Sequence, residues 1–233
     1  MDKSVVSTEL STEVPPLAPQ QLWILAKQPL AGQVKTRLVP PLQSRQAAAL
    51  AGLSLKDSLT LARQLPEVHT GLCVAGDLAW FARQAADLPC RAQVEGDLGA
   101  RLTALFAQAF AAGARRVCAI GSDSPDLPPG RIGEAFAALA DHDVVIIPAS
   151  DGGYVLIGCS GAYPQLFDAI AWSSPLVCRQ SCERAVAAGL RLRLLPPWHD
   201  LDTPADLRRL AMQPGRLRSQ RYARRCLRAL PKS

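Results

Sequence analysis

Short apolar runs alternate along the chain with longer segments in which apolar residues recur every three or four positions. The runs at 22–26, 69–75, 117–120 and 144–147 predict buried strands, and the periodic segments at 44–62 and 98–112 predict amphipathic helices. Further helices are predicted at 78–86, 130–140, 175–188 and 204–212, with a strand at 190–195. Strands that alternate with helices are typical of a mostly parallel sheet with helices on both faces. The pattern therefore predicts an α/β fold.

One apolar run does not fit the alternation. Residues 154–157 follow the run at 144–147 too closely for a helical crossover between the two. Parallel neighbours in a sheet need such a crossover. We therefore expect the run at 154–157 to lie in a different part of the sheet.

The chain has 233 residues, which suits one α/β domain, predicted here at 21–212. Residues 1–20 lack the continuous apolar core of a signal peptide and predict a disordered leader. No apolar stretch reaches the roughly 18 residues of a membrane span. The expected localisation is therefore cytoplasmic.

The net charge of +6 comes from the end of the chain. Residues 213–233 hold six arginines, one lysine and no acid, so the rest of the chain is close to neutral. This basic tail contains one aromatic residue, Tyr222, whereas nucleic-acid binding needs a basic face with interleaved aromatics. We expect no specific nucleic-acid partner and favour an amphipathic helix, with weak contact to an anionic surface left open.

A cationic loop follows the first predicted strand. Lys27, Lys35 and Arg37 can neutralise a diphosphate or triphosphate, and Gly32 gives the loop a flexible turn. The spacing is that of neither a P-loop nor a Gly-x-Gly-x-x-Gly fingerprint. A solvated surface loop is the alternative. Ligands of open α/β sheets bind at the carboxyl ends of strands, which favours nucleotide binding.

A second glycine-containing segment, 95–101, precedes a predicted helix. Gly96 lets the backbone approach a ligand closely, and Arg101 can contact a phosphate. The competing interpretation is structural, with Asp97 as the N-cap of the helix. The sequence leaves both open.

Carboxylates stand at two predicted strand ends. Asp123 follows the strand at 117–120, and its small neighbour Ser122 keeps the approach open. Asp200 and Asp202 have one residue between them, so in an extended segment both face the same way. Separated carboxylates of this kind suit Mg²⁺ or Mn²⁺ shared with phosphate oxygens. The alternatives are a polar turn for the first segment and, for Asp202, a helix N-cap.

A fourth polar cluster follows the strand at 144–147. Asp151 precedes Gly152 and Gly153, and consecutive glycines supply a wall where backbone passes close to an acceptor substrate. Tyr154 follows directly. A plain turn is the alternative.

These motifs in this order resemble a bacterial family of glycosyltransferases associated with radical-SAM/selenium-domain proteins, some of them linked to arsenosugar biosynthesis. The matching segments are AKQPLAGQVKTRL, EGDLGARL, GSDSPDLP, PASDGGYVLIG, WSSP and DLDTPADL, and they span about 22–210. The family is similar to a branch of the nucleotide-diphospho-sugar transferase superfamily, and to the guanylyltransferases that make the precursor of cofactor F420. The resemblance implies a GT-A-type, Rossmann-like fold.

The resemblance also implies roles for individual residues. The cationic loop would bind the nucleotide diphosphate, and Asp123 would stand at the metal-binding Asp-x-Asp-like motif, here with one aspartate. Asp202 is the candidate for a second metal ligand. Asp151 and Tyr154 would face the acceptor. Trp172 and Ser173 would line the same pocket, although a structurally buried tryptophan is an alternative.

Three functions follow from these interpretations. The first is a metal-dependent glycosyltransferase that uses a nucleotide-sugar donor and a small acceptor, with Asp123, Asp151 and Asp200 as the catalytic set. The second is a nucleotidyltransferase that takes an NTP and releases pyrophosphate. The third is a non-catalytic nucleotide-binding protein. Asp151, His199 and Asp200 are candidate bases that the sequence does not rank.

Overall fold

The structure is a computed structural model, and it describes residues 19–230. The leader predicted at 1–20 lies almost entirely outside these residues. The strands are β1 (Gln20–Lys27), β2 (His69–Ala75), β3 (Cys90–Ala92), β4 (Arg116–Gly121), β5 (Val144–Pro148), β6 (Tyr154–Cys159) and β7 (Leu192–Leu194). The helices are α1 (Ser44–Ala62), α2 (Leu78–Gln84), α3 (Leu98–Ala111), α4 (Pro129–Ala138), α5 (Val177–Ala187), α6 (Pro204–Met212) and α7 (Arg218–Arg228). The elements predicted from the hydrophobic pattern are present, with ends that shift by at most two residues.

The seven strands form one mixed sheet in the order β3-β2-β1-β4-β6-β5-β7. The β1–β2, β1–β4, β2–β3 and β5–β7 pairs are parallel, and β6 runs antiparallel to both of its neighbours. The prediction that 154–157 lies away from 144–147 was wrong, because β5 and β6 pair directly. An antiparallel pair needs only a short turn, and residues 149–153 supply it.

Alternate side chains of the central strands face opposite layers of helices. Leu22 and Ile24 of β1 belong to one apolar cluster, with side chains from α1, α2 and α4. Trp23 lies on the other face, in a cluster with side chains from α3 and α5. Both faces of the sheet are therefore covered, as the predicted α/β fold requires.

The basic C-terminal segment contains α7, which packs on α1 and α6. The side chain of Asp57, buried in α1, accepts hydrogen bonds at the start of α7 from the backbone N–H of Ser219 at 2.8 Å and of Arg218 at 3.0 Å. Ala223 and Cys226 lie in an apolar cluster shared with α1 and α6. The segment is thus attached to the domain through a buried carboxylate and an apolar face.

Within residues 19–230, no helix has both the length and the apolar character that crossing a membrane demands.

Candidate active site

The site lies where β1 and β4, two parallel neighbours, end together. Lys27 is the last residue of β1, the segment after it holds Lys35 and Arg37, and the loop after β4 begins with Ser122 and Asp123. The backbone N–H of Ser122 donates to the carbonyl of Leu25 at 3.1 Å, which joins the two strand ends. The cationic loop and the segment that carries Asp123 therefore meet at one edge of the sheet.

Lys35 is the buried centre of this site. Its backbone is left-handed, with φ 51°, and only 3% of its side chain is exposed. Its ammonium lies 2.5 Å from Oδ1 of Asp123 and 3.9 Å from Oδ1 of Asp202, and it donates to the carbonyl oxygen of Leu201. The lysine predicted to contact phosphate is thus held between the two carboxylates predicted to bind metal.

Asp202 faces the site and does not cap a helix. Its Oδ2 accepts a hydrogen bond from Nη1 of Arg37 at 3.0 Å. The N-cap of α6 is Thr203, whose hydroxyl accepts from the N–H of Asp206 while the Asp206 carboxylate accepts from the N–H of Thr203. The interpretation of Asp202 as an N-cap was therefore wrong, and its carboxylate is free to pair with cations.

Asp200 is the most buried carboxylate of the site. Its Oδ1 accepts a hydrogen bond from the hydroxyl of Ser124 at 2.7 Å. Burial raises the pKa of Asp200 to about 6; the nearby charges of Asp123 and Asp151 also raise it, whereas the Ser124 hydrogen bond lowers it. The N–H of Leu201 donates to the carbonyl of Asp123 at 2.8 Å, so the segments that carry the aspartates are joined by backbone as well.

Three pockets that share lining residues open onto these carboxylates, and the two that are also lined by cationic side chains have volumes of about 290 and 680 Å³. Together they are lined by four cationic side chains, namely Lys27, Lys35, Arg37 and Arg101, and by five carboxylates, namely Asp97, Asp123, Asp151, Asp200 and Asp202. Fixed positive charge therefore does not exceed negative charge in the site.

The structural interpretation of the segment 95–101 is confirmed, and the ligand-binding interpretation stays a prediction. Asp97 is the N-cap of α3 and accepts from the N–H of Ala100 at 2.9 Å. Gly96, with φ 118°, and Arg101 nevertheless line the larger pocket. Nε of Arg101 is buried and has no hydrogen-bond partner among residues 19–230.

Five of the predicted acceptor residues line the larger pocket, which Arg37 of the cationic loop also lines. They are Asp151, Gly153, Tyr154, Trp172 and Ser173. Burial raises the pKa of Tyr154, so its phenol stays protonated at neutral pH. Trp172 packs closely on α3, because a Cβ at Gly99 would lie 2.7 Å from the indole Nε1. It is thus both a packed side chain and a lining residue.

Three predicted residues stand apart from the pockets that surround the carboxylates. Gly32 has φ 79° and open space around it. Gly152 has φ 90°, and a Cβ there would lie 2.2 Å from the carbonyl oxygen of Pro175. Its own carbonyl accepts from the N–H of Cys178 at 2.8 Å, so it fixes the start of α5. His199 contacts Trp198 and lines neither pocket.

The hydrogen-bonding role of Ser124 was not predicted from the sequence. Its hydroxyl orients Asp200, a residue 76 positions away, and that contact has no local signal in the sequence. The carbonyl of Leu201, which binds the Lys35 ammonium, was missed for the same reason.

The carboxylates of the site supply only some of the ligands that a divalent metal needs. Among residues 19–230, no group of three or more His, Cys, Asp or Glu side chains converges on one point. Asp123 and Asp202 nevertheless meet around one positive charge, the Lys35 ammonium. Two carboxylates, with phosphate and water oxygens completing the shell, match the usual coordination of Mg²⁺.

Known proteins resemble this chain in sequence and in fold. A family model described as "Uncharacterized protein conserved in bacteria (DUF2064)" matches residues 59–174. A "putative nucleotide-diphospho-sugar transferase" from Desulfovibrio desulfuricans G20 is 31% identical, with a TM-score of 0.83 over 90% of this chain and 95% of its own. No protein of curated function matches the sequence.

Two further structures share the fold at low identity. A CMP:2-keto-3-deoxy-manno-octonic acid synthetase complexed with CTP has 13% identity and a TM-score of 0.54 over 82% of this chain and 96% of its own. A 4-diphosphocytidyl-2C-methyl-D-erythritol synthase from Anaerococcus prevotii DSM 20548 has 9% identity and a TM-score of 0.52 over 81% and 95%. With 31% identity to the Desulfovibrio protein over most of both chains, this chain belongs to the nucleotide-diphospho-sugar transferase superfamily, and its residues 59–174 match the DUF2064 model.

Proposed function

We propose that this protein is a metal-dependent glycosyltransferase that moves a sugar from a nucleotide-sugar donor to a small acceptor. The observation that carries the proposal is the convergence of Asp123 and Asp202 on the Lys35 ammonium, beside the cationic loop at the end of β1. Within the superfamily, the motifs favour the branch of glycosyltransferases associated with radical-SAM/selenium-domain proteins.

Lys27 and Arg101 are the cations proposed to contact the donor phosphates. Both line the smaller pocket, and neither forms an ion pair with a carboxylate among residues 19–230. Lys35 and Arg37 are engaged by Asp123 and Asp202, so they position the carboxylates first. Gly96, at φ 118°, lets the backbone approach the nucleotide where a side chain would intrude.

Charge balance supports metal dependence. The five carboxylates that line the site already outnumber its four cations, and a nucleoside diphosphate brings further negative charge. Asp123 and Asp202 would hold Mg²⁺ or Mn²⁺. When bound, the metal supplies neutralisation of the charge that develops on the departing phosphate.

The acceptor is proposed to bind against Asp151, Gly153, Tyr154, Trp172 and Ser173. Asp151 is exposed at this wall and can accept the proton of an acceptor hydroxyl. Asp200 is the second candidate base, because Ser124 fixes the direction of its carboxylate. His199 is the weakest of the three candidates, since it lines neither pocket.

A nucleotidyltransferase is the second candidate function. Four cations line the two pockets, which suits a triphosphate as well as a diphosphate, as in the F420-precursor guanylyltransferases that the motifs resemble. Such an enzyme releases pyrophosphate, whereas a glycosyltransferase releases a nucleoside diphosphate.

The released product tests the proposal. The full chain is incubated with Mg²⁺ or Mn²⁺, a panel of nucleotide sugars and NTPs, and pooled small acceptors, and both products are quantified. Nucleoside diphosphate that is absent with Asp123→Asn and present with the control Asp168→Asn supports the glycosyltransferase. Pyrophosphate favours the second function. If nucleotides stabilise Asp123→Asn as they do the wild type and no product forms, the protein binds nucleotides without catalysis.

A further inference from the structure

A second large cleft lies between α1, α2 and α7, outside the carboxylate site. Its volume is about 1010 Å³, and residues 29–31 of the cationic loop form one wall. None of its lining residues lines the pockets around Asp123. The two sites share a loop but not a surface.

The cleft is strongly basic. Its charged lining residues are Arg45 and Lys56 from α1 and Arg218, Arg221 and Arg225 from α7, and no Asp or Glu lines it. Arg218 is 3.5 Å from the buried carboxylate of Asp57. The other four have no carboxylate within ion-pair distance among residues 19–230. Cations gathered in this way repel one another, and an anion in the cleft would relieve that repulsion.

The cleft also has an apolar side. Trp80 from α2 and Tyr222 from α7 line it, together with Leu30 and Leu53. Trp80 is half-buried, and the guanidinium of Arg225 lies 4.9 Å from the centre of the Tyr222 ring. A ligand here meets flat aromatic surface as well as charge, which suits a molecule that carries both phosphate and an apolar or planar group.

The arginines of α7 are held on a fixed element. Asp57 accepts hydrogen bonds from the backbone and hydroxyl of Ser219, and the buried face of α7 packs on α1. Their backbone positions are therefore set before a ligand arrives, which reduces the entropy lost on binding.

We propose that this cleft binds a small organic phosphate, with at least two phosphate charges and an apolar or planar part. Arg221 and Arg225 contact the phosphates through their guanidinium forks, and Trp80 packs on the apolar part. The concave shape and a volume near the upper end of the roughly 300–1000 Å³ of small-molecule sites favour such a ligand over a polymer.

The probes are ATP and inorganic tripolyphosphate, titrated calorimetrically into the full chain at low salt. Arg221→Glu/Arg225→Glu is compared with Arg193→Glu/Arg208→Glu, which reverses two exposed arginines outside the cleft. We expect the first pair to weaken binding of both probes by about tenfold or more, because each lost charge-assisted bond costs about that factor. The control pair is expected to leave the affinity for both probes within about twofold of the wild-type value.

Two further variants locate the ligand. Arg101→Glu disturbs the phosphate contacts of the carboxylate site and is expected to leave cleft binding intact. Because Trp80 is proposed to pack on the planar part of the ligand, the wild type is expected to bind ATP more tightly than tripolyphosphate. Trp80→Ala is expected to remove this difference. Since Arg221 and Arg225 are exposed, their substitution should leave the melting temperature unchanged, and that is measured alongside.

Several results would overturn the proposal. Binding lost in Arg101→Glu and kept in Arg221→Glu/Arg225→Glu would assign both probes to the carboxylate site. Undiminished binding in every variant would show that the probes are held by unspecific attraction to the protein surface and not by the cleft. If phosphatidylserine vesicles or a single-stranded RNA bind through the cleft and ATP does not, the partner is a membrane or a nucleic acid instead.

Discussion

The ammonium of Lys35 lies 2.5 Å from Oδ1 of Asp123, and both side chains stand where β1 and β4 end. The lysine is almost fully buried, whereas 55% of the aspartate side chain is exposed. The pair therefore joins the phosphate loop to the carboxylate loop while leaving one carboxylate open to the pocket. We expect the removal of the lysine charge and the removal of the aspartate charge to have different consequences.

Removal of the Lys35 cation is expected to destabilise the metal-free protein. In Lys35→Met, Asp123 and Asp202 lose the charge between them and the Leu201 carbonyl loses its donor, which costs about 1–3 kcal/mol. Mn²⁺ should then raise the melting temperature of the variant more than that of the wild type, because no ammonium competes for the carboxylates. Differential scanning fluorimetry with and without Mn²⁺ measures both effects. Lys56→Met, at an exposed lysine, is the control, and equal Mn²⁺ shifts in all three proteins would contradict the metal site.

Loss of the Asp123 carboxylate is expected to abolish turnover while the fold persists. Asn keeps an oxygen for the Lys35 ammonium but carries no charge for a divalent ion. Product formation should drop by at least about a hundredfold, the usual scale for losing a group that stabilises developing charge. The melting temperature should fall only slightly, since the side chain is half-exposed. Asp168→Asn is the matched control, and a variant that retains wild-type turnover would remove Asp123 from the machinery.

Much of the fold was predictable because its signals are local. The spacing of apolar residues in α1 and the apolar runs of β1, β4 and β5 depend on sequence neighbours alone. The position of β6 in the sheet was not predictable, because an apolar run looks the same in sequence whether its neighbouring strand is parallel or antiparallel. What decided it was the five-residue connection, which permits a hairpin and no crossover.

The site was predictable as a set of strand ends, and not as a set of contacts. The rule that ligands bind at the carboxyl ends of strands brought Asp123 and the cationic loop together. The left-handed backbone of Lys35 has no marker in the sequence, because glycine or asparagine is the usual residue there. That conformation buries the ammonium between the carboxylates, so the pairing was visible only in three dimensions.

Gly152 and Gly113 make a matched pair for the role of the turn before β6. Both have φ near +90°, but a Cβ at Gly113 meets nothing within 4 Å, whereas one at Gly152 would lie 2.2 Å from the Pro175 carbonyl oxygen. Gly113→Ala should cost about 1–2 kcal/mol, the strain of left-handed backbone. Gly152→Ala should cost about 1–3 kcal/mol more, because the start of α5 must move. Urea unfolding measures both free energies of unfolding. Equal losses in the two variants would show that the contact with Pro175 does not contribute to stability.

The ion pair between Asp143 and Arg191 predicts a pH-dependent contribution to stability. The carboxylate of Asp143 accepts hydrogen bonds from Nε and Nη2 of Arg191, both at 3.0 Å, and from its backbone N–H at 2.8 Å. These contacts, the side-chain hydrogen bond first, lower the pKa of Asp143 below its usual value, which is near 3.9 in unfolded chains. A carboxyl whose pKa is lower in the folded state stabilises the fold above its unfolded pKa, and that stabilisation is lost as pH falls through the folded value.

Asp143→Asn should therefore unfold at lower urea concentration than the wild type at pH 7. The gap should narrow as pH falls below about 4 and close once the wild-type carboxyl is itself protonated. Asp168→Asn, at an exposed carboxyl with no ion pair among residues 19–230, is the control for the loss of one carboxylate. Urea midpoints measured at steps between neutral and acidic pH test the sign directly. A gap for Asp143→Asn that stays constant or widens on acidification would show that its pKa is not lowered by Arg191.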